Sequence, residues 1–279
     1  MTTYESVPVV FRGSKKRKLV GVLRLPPGAK AGLVTVHGWG AGRMGPTNML
    51  SDICSRFASE GFATLNFDLS GRGDSEGSAE EVTIDDMMAD TKAAVEELKG
   101  RGISKVCLFG LCSGGNAALG AVALGAEVDS VVAVSTLPFV PIEITSAKAK
   151  KTASFARGYF LKLFRAETWR KLFSGRISFK GVWRTLFGHA SKSSVRSERV
   201  LKDTKLQLPA MLKGFRGKLC HIYGSADPDS KPAGEWFERE YEAIGLKAEF
   251  LVLDRANHNF YSIEMRERIA ALVRRLLDE

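Results

Sequence analysis

The chain has 279 residues, of which 44% are hydrophobic and 26% are charged, a composition typical of soluble globular proteins with a sizeable core. The first residues lack a basic stretch followed by an apolar block, which argues against a secretory signal, and no apolar run approaches the roughly 20 residues that span a bilayer. The net charge of +10 is uneven, since residues 141–218 carry 19 Lys or Arg against 4 Asp or Glu while the rest carries 22 against 27.

Short apolar or alternating runs recur along the chain and predict eight β-strands. Most are rich in Val, Leu and Ile, as expected for strands that are buried on both faces of a sheet. The predicted strands are 7–12, 19–25, 32–37, 63–68, 105–110, 130–135, 218–224 and 248–253. A short basic turn at 13–18 joins the first two, which predicts an antiparallel hairpin there.

Segments with helical periodicity lie between these strands, at 49–59, 84–98, 114–124, 234–244 and 263–277. The alternation of strand and helix predicts an α/β fold with a mostly parallel eight-stranded sheet and helices on both faces. The interval 138–213 breaks the pattern, because it has no buried strand and mixes helical pieces, aromatic residues and bases. We expect a helical cap there, inserted into a core formed by 1–137 and 214–279.

The basic cap raises the question of an acidic partner. Clustered Lys and Arg attract anionic lipid, acidic polymer or nucleic acid through long-range fields. A solvated helical face that happens to be basic explains the charge equally well. Because no nucleic-acid recognition module is visible, no nucleic acid is expected as a partner.

The four cysteines differ in their surroundings. Cys107 and Cys220 sit inside apolar strands and Cys54 inside a helical pattern, so these three are expected to be buried hydrophobic residues. No cysteine has zinc-ligand spacing, and neither a metal nor a cofactor is predicted. Unpaired cysteines of this kind favour a reducing cytoplasm, with contact at the inner membrane surface through the cap as an extension.

Cys112 is the exception, because it lies in a strand–turn–helix pattern. The strand at 105–110 ends in Gly110, and Cys112 and Gly114 follow at the Gly-x-Nuc-x-Gly spacing that places a nucleophile on a sharp elbow before a helix. The helix dipole would favour a thiolate at Cys112. Ser113 is a rival nucleophile, but it would need glycine at 111, where Leu111 stands.

A base and an orienting carboxylate follow the last two predicted strands. His258 lies after the final strand, where it can reach back over the sheet to the elbow, and Asp227 lies after the penultimate one. A buried carboxylate there would fix the imidazole tautomer and stabilise the imidazolium. Asp229 is a weaker rival for that role, and either Asp could instead serve in a turn or as a helix cap.

The loop from His37 to Gly40 follows the third strand. Its glycines allow a backbone N–H to turn toward the elbow, so we expect the N–H groups of Trp39 and Ser113 to form an oxyanion hole. The side chains of Trp39 and Leu111 are expected to line the acyl pocket, and His37 is expected to brace the loop. The segment 66–77 after the fourth strand predicts an ordered turn, not a dinucleotide site.

These pieces in this order resemble the α/β-hydrolase superfamily across nearly the whole chain: the His37 loop, the glycine turn at 71–75, the elbow at Cys112, then Asp227 and His258. Cysteine at the elbow is similar to the dienelactone hydrolases, which are largely capless. The chain is also similar to the exosortase-associated α/β-hydrolases of bacterial exopolysaccharide clusters, which share the elbow cysteine and a cap segment like 168–176. That likeness implies acyl or ester chemistry near envelope polysaccharide or lipid.

The sequence thus predicts a hydrolase or acyltransferase that takes a small ester, thioester or lactone through a Cys112–His258–Asp227 triad. An esterase with Ser113 as nucleophile is an alternative within the class. A catalytically degenerate hydrolase fold that binds an anionic partner through the basic cap is the alternative from another class.

Overall fold

One sheet of eight strands organises the chain in the computed structural model, which describes residues 2–138, 204 and 206–278. In chain order the strands are β1 (Glu5–Arg12), β2 (Lys18–Leu25), β3 (Ala31–Val36), β4 (Ala63–Phe67), β5 (Lys105–Leu111), β6 (Ser130–Val134), β7 (Lys218–Gly224) and β8 (Glu249–Leu253). The helices among these residues are α1 (Met49–Ser59), α2 (Ile84–Gly100), α3 (Ser113–Ala123), α4 (Leu208–Met211), α5 (Ser230–Ile244) and α6 (Ile263–Asp278).

The strand order across the sheet is β1-β2-β4-β3-β5-β6-β7-β8. β2 pairs antiparallel with both β1 and β4, and every other neighbouring pair is parallel. The predicted α/β fold with a mostly parallel eight-stranded sheet is therefore confirmed. Parallel strands place their carboxyl ends at one edge, so the loops after β3, β5, β7 and β8 meet there.

Two apolar layers cover the sheet. α1 and α6 pack on one face, and α2, α3, α4 and α5 pack on the other. Successive strand residues supply the two layers in turn, as Leu33 and Val34 do in β3, because side chains alternate across a strand. Both faces are therefore buried, which explains why the central strands are almost wholly apolar in sequence.

The start of one helix differs from the sequence prediction. α5 begins at Ser230, four residues before the predicted start, because Pro232 falls in its first turn, where the missing N–H costs nothing. Leu208 and Leu212, which the sequence analysis assigned to the cap, are buried in the same apolar layer as α2 and α5. Apart from its two ends, the predicted cap lies outside the described residues.

Candidate active site

Cys112 forms a sharp elbow between β5 and α3. Its backbone has φ 58° and ψ −124°, a conformation that residues with a side chain rarely adopt. The Cys112 N–H donates to the Val134 carbonyl at 2.8 Å, and the Gly115 N–H donates to the Cys112 carbonyl at 3.0 Å. The strained residue is thus fixed from both sides, with its side chain at the start of a helix.

Glycine at three positions lets the elbow form. A Cβ atom at Gly110 would lie 2.3 Å from the Gly114 carbonyl oxygen, and one at Gly114 would lie 2.3 Å from the Val36 carbonyl oxygen. At Gly115 the added atom would lie 1.9 Å from the Thr136 hydroxyl. These contacts are too short for any side chain, so the glycine pattern follows from close backbone packing around Cys112.

The loops after β7 and β8 are tied together by their backbones. The Ser225 N–H donates to the Leu253 carbonyl at 3.0 Å, and the Ala226 N–H donates to the Ala256 carbonyl at 2.9 Å. Asp227 and His258 follow these bonds directly in sequence. Their side chains are therefore brought together by the strand ends themselves.

The His258 ring contacts the carboxylate of Asp227, with 2.7 Å between Nδ1 and Oδ2. The side chain of Asp227 is 3% exposed and that of His258 is 31% exposed. The Asp229 backbone N–H donates to the other Asp227 oxygen at 3.2 Å. The carboxylate that meets His258 is thus that of Asp227, while the rival Asp229 supports it from the backbone.

Charge interactions connect His258 to Cys112. Hydrogen bonds to Asp227 and then to Cys112 raise the pKa of His258 to about 10, against the effect of burial. Burial acts to raise the pKa of the Cys112 thiol, but the hydrogen bond and charge of His258, together with the interactions of Ser113, outweigh it, so that pKa lies below its ordinary value. Both shifts favour a thiolate next to an imidazolium.

The thiol pKa values of the other three cysteines are shifted in the opposite direction. Burial raises the pKa of Cys107 and Cys220 to about 12 and also raises that of Cys54. All three are free and buried, as the sequence predicts. Cys112 is the one described cysteine whose surroundings favour the thiolate.

The two predicted oxyanion donors lie at the elbow, but their N–H groups already have acceptors. The Trp39 N–H donates to the Ser113 hydroxyl oxygen at 2.6 Å. The Ser113 N–H interacts with the Cys112 thiol and helps to lower its pKa. Trp39 is half-buried, whereas Leu111 is 3% exposed within the apolar layer under α1 and α6. Their pocket-lining roles stay predictions.

His37 braces the loop that carries Trp39. Its Nδ1 lies 2.8 Å from the Gly38 carbonyl oxygen, and its Nε2 accepts the Leu69 N–H at 3.1 Å. Burial lowers the pKa of His37 to about 4, so the ring is neutral with its proton on Nδ1. This is the structural role that the sequence predicts for His37.

The segment after β4 forms the expected ordered turn around Asp68. The Arg43 and Asp74 N–H groups donate to the Asp68 carboxylate at 2.7 and 3.1 Å, and the Ser75 hydroxyl donates to its carbonyl at 2.6 Å. These side chains satisfy backbone groups of the turn.

Arg72 contacts Trp39, which the sequence did not predict. Its Nε donates to the Trp39 carbonyl at 2.7 Å, and its guanidinium lies over the Trp39 ring at 5.2 Å from the centroid. Arginine favours such combined stacking and hydrogen bonding. The position of Arg72 between Gly71 and Gly73 is visible in the sequence, but nothing there pairs it with a tryptophan in another loop.

Within 2–138 and 206–278, no cluster of His, Cys, Asp and Glu could hold a metal ion. In the same ranges, no helix has both the length and the apolar character needed to cross a bilayer.

Comparisons with known proteins agree with this architecture. An esterase from Pyrococcus furiosus matches with a TM-score of 0.68 at 18% identity, covering 99% of this chain and 91% of that one. A dienelactone hydrolase from Anabaena variabilis matches with a TM-score of 0.62 at 18% identity, covering 98% of this chain and 96% of that one. No curated protein sequence matches the chain. The model of the alpha/beta hydrolase family matches residues 33–272, so the chain belongs to that family.

Proposed function

We propose that this protein cleaves or transfers an acyl group from a small ester, thioester or lactone, with Cys112 as nucleophile. The observation that carries the proposal is the line of contacts from Cys112 through His258 to Asp227. It supplies the nucleophile, the base and the orienting carboxylate that covalent acyl transfer requires. Esterase and dienelactone hydrolase among the similar structures are consistent with this chemistry.

The reaction begins with the sulfur of Cys112 attacking the substrate carbonyl carbon. The carbonyl π electrons move to oxygen, and the N–H groups of Trp39 and Ser113 stabilise the oxyanion. When it collapses, the bond to the leaving alcohol or thiol breaks, and the His258 imidazolium gives that group its proton. A thioester between Cys112 and the acyl group remains.

The second half returns the enzyme to its starting state. Neutral His258 takes a proton from water or from an acceptor alcohol, whose oxygen attacks the thioester carbonyl. The sulfur leaves as a thiolate beside the regenerated imidazolium. Asp227 holds the ring so that Nε2 faces the sulfur throughout, as the carboxylate of a triad does.

Ser113 is the rival nucleophile within the same class. The bonds of His258 go to Asp227 and Cys112, while the hydroxyl of Ser113 accepts the Trp39 N–H. A serine hydroxyl needs a general base such as histidine to attack a carbonyl, and the interactions of the His258 ring are with Asp227 and Cys112. These contacts favour Cys112.

Alkylation and substitution together test the proposal. Iodoacetamide at neutral pH is expected to modify Cys112 and to spare buried Cys54, as peptide mapping by mass spectrometry would reveal. Cys112→Ala should abolish turnover of p-nitrophenyl acetate and of an acetyl thioester, whereas the matched control Cys54→Ala should retain it. Mass spectrometry of denatured enzyme quenched during turnover should find the acetyl group on Cys112.

Two results would contradict the proposal. If Ser113→Ala abolished turnover while Cys112→Ala kept it, the nucleophile would be Ser113. If the folded wild type were inactive on a broad panel of esters and thioesters but bound anionic vesicles or polysaccharide in a salt-sensitive way, the basic segment 141–218 would define a binding protein instead.

A further inference from the structure

The Ser113 hydroxyl lies between the predicted oxyanion loop and the nucleophile. Its oxygen accepts the Trp39 N–H at 2.6 Å, and Ser113 is only 8% exposed. A serine hydroxyl has one proton to donate. The hydroxyl and the amide of Ser113 both interact with the Cys112 thiol and lower its pKa. Ser113 thus connects the loop to the nucleophile, because its hydroxyl accepts the Trp39 N–H and also interacts with the sulfur.

The loop and the elbow are too close for this arrangement to be incidental. A Cβ atom at Gly38 would lie 3.3 Å from the Cys112 Cβ and 3.8 Å from the Ser113 oxygen. The Trp39 carbonyl oxygen also accepts a hydrogen bond from Arg72 Nε at 2.7 Å. The Trp39 backbone is therefore fixed at both its N–H and its carbonyl, with the Ser113 hydroxyl as the acceptor of the N–H.

We propose that Ser113 is a positioning residue whose hydroxyl closes the oxyanion site over the resting thiolate and is displaced by the substrate carbonyl oxygen. The inference rests on the proposed function, since it assigns Trp39 and Cys112 their roles in that reaction. It explains why the Trp39 N–H, needed for an oxyanion, has another partner in the free enzyme.

The charges of the reaction drive the exchange of partners. In the resting enzyme the sulfur is the anion, and a hydroxyl that donates to an anion makes a strong hydrogen bond. As the sulfur bonds to carbon, its charge moves to the carbonyl oxygen. The Trp39 N–H then gains more from the oxyanion than from a neutral hydroxyl. Ser113 loses both its charged acceptor and its donor, and it rotates away.

Few other charged groups face the thiol among the described residues. His258, from the loop after β8, is the titratable group that interacts with it directly, and Asp227 acts through that ring. His37 lies in the oxyanion loop, but both its ring nitrogens are engaged by the Gly38 carbonyl and the Leu69 N–H. A change in the thiol pKa after substitution of Ser113 can therefore be assigned to the lost hydroxyl.

The first experiment measures the pH dependence of iodoacetamide alkylation at Cys112. Ser113→Ala is expected to raise the apparent thiol pKa by about one unit, because a hydrogen bond to a charged group is lost. Alkylation below that pKa should then slow roughly tenfold. Ser113→Thr keeps the hydroxyl and should retain the wild-type profile.

Ser135→Ala is the matched control. Ser135 is buried at the end of neighbouring β6, and its hydroxyl has no hydrogen-bond partner in the described part of the chain. Its removal should leave the alkylation profile unchanged. A profile for Ser113→Ala that coincided with the wild type would overturn the proposal.

The second experiment separates displacement from direct stabilisation. Single-turnover acylation by p-nitrophenyl acetate at about pH 10 compares enzymes whose thiols are ionised. Ser113→Ala should acylate there at least as fast as the wild type, because no hydroxyl competes for the Trp39 N–H. A loss of tenfold or more at that pH would mean that the hydroxyl itself donates to the oxyanion, which contradicts displacement.

The two experiments also distinguish this proposal from the proposed function. Alkylation needs only a reactive thiol and no ester turnover. If the wild type were alkylated at Cys112 but never acylated, the proposed function would fail while the alkylation profiles still reported on the Ser113 hydrogen bond. If acylation occurred but the Ser113→Ala profile did not move, this inference alone would fail.

Discussion

The interior of the sheet and its carboxyl edge shift the pKa values of the same two types of side chain, histidine and cysteine, in opposite directions. In the interior, burial lowers the pKa of His221 to about 3 and raises that of Cys107 to about 12. At the edge, Asp227 raises the pKa of His258 to about 10, and His258 lowers that of Cys112. Interior groups are thus held neutral, while edge groups are held as ions.

The difference lies in the partners and not in burial alone. His221 is fully buried, and its nearest polar partner is the neutral Tyr241 hydroxyl, 3.0 Å from Nε2. Cys112 and Asp227 are also largely buried, but each meets His258, so opposite charges stabilise one another. The strand ends supply that partner because loops from separate strands converge there.

Removal of the Asp227 charge at the carboxyl edge should have the largest effect, which is a loss of activity. Asp227→Asn loses the carboxylate and presents an amide that can hold the wrong imidazole tautomer, a change that costs about 10⁴-fold in kcat in a serine triad. We expect a loss of roughly 10²–10⁴-fold here, since a preformed thiolate depends less on the base. Steady-state kinetics with p-nitrophenyl acetate measure it.

Asp229→Asn is the control for that experiment. It neutralises a carboxylate two residues away without touching the His258 contact, so its kcat should stay within a few-fold of wild type. Asp227→Asn should also lower the pKa of His258, because the bond to Asp227 is the largest cause of its upward shift. Equal losses of kcat in the two variants would mean that the Asp227 carboxylate has no special role at the site.

The glycine elbow gives the next largest effect. Gly114→Ala places a Cβ atom 2.3 Å from the Val36 carbonyl oxygen, a backbone atom that cannot move aside. We expect a loss of about 1–3 kcal/mol in the free energy of unfolding, typical of overpacking, measured by urea denaturation. Gly100→Ala at the end of α2 is the control, since nothing lies within 4 Å of the added atom. A neutral Gly114→Ala would contradict the packing described for the elbow.

His221 tests the interior side through acid denaturation. Its native pKa of about 3 lies below 6.5, so the unfolded chain takes up a proton that the native state refuses. The resulting stability is present above pH 6.5 and is lost as the pH falls toward 3, by up to about 1.4 kcal/mol per pH unit. His37, with a pKa of about 4, adds a second such group.

His221→Gln should therefore reduce the pH slope of stability between pH 6 and 5 by about one proton. Urea denaturation of both proteins at pH 7, 6 and 5 measures the slope, whatever the change in absolute stability. The pH slope of stability that remains in the variant, to which His37 contributes, is the internal comparison. An unchanged slope would mean that His221 is not held neutral in the native protein.

The sequence predicted the sheet and the approximate place of each candidate site residue. The strands from β3 to β8 are apolar runs bounded by turns, and Cys112, Asp227 and His258 lie at the end of β5 and in the loops after β7 and β8. Position after a parallel strand is enough to bring these residues to one edge. The pattern of glycines around Cys112 likewise reflects backbone contacts that local sequence records.

Contacts between side chains of different loops could not be predicted in this way. Neither the Ser113 hydroxyl on the Trp39 N–H nor Arg72 against the Trp39 ring follows from periodicity or spacing. Each depends on a rotamer and on the distance between two loops that are remote in sequence. The start of α5 at Ser230 was missed for a different reason, since a proline in the first turn resembles a breaker from sequence alone.

Arg72 offers the smallest effect and the finest test of the edge. Its Nε holds the Trp39 carbonyl at 2.7 Å and its guanidinium covers the ring, so Arg72→Lys keeps the charge but loses the planar stack and the fixed hydrogen bond. The Trp39 N–H should then be less well aimed, and kcat should fall about 3–10-fold, by analogy with the larger loss when an oxyanion donor is removed outright. KM and the alkylation profile of Cys112 should change little, because Arg72 does not contact the sulfur.

Arg101→Lys, on an exposed helix end, controls for the substitution itself. A fall in kcat/KM that came wholly from KM would place Arg72 in substrate binding, so the split between kcat and KM decides whether partners at the edge also position neutral backbone groups.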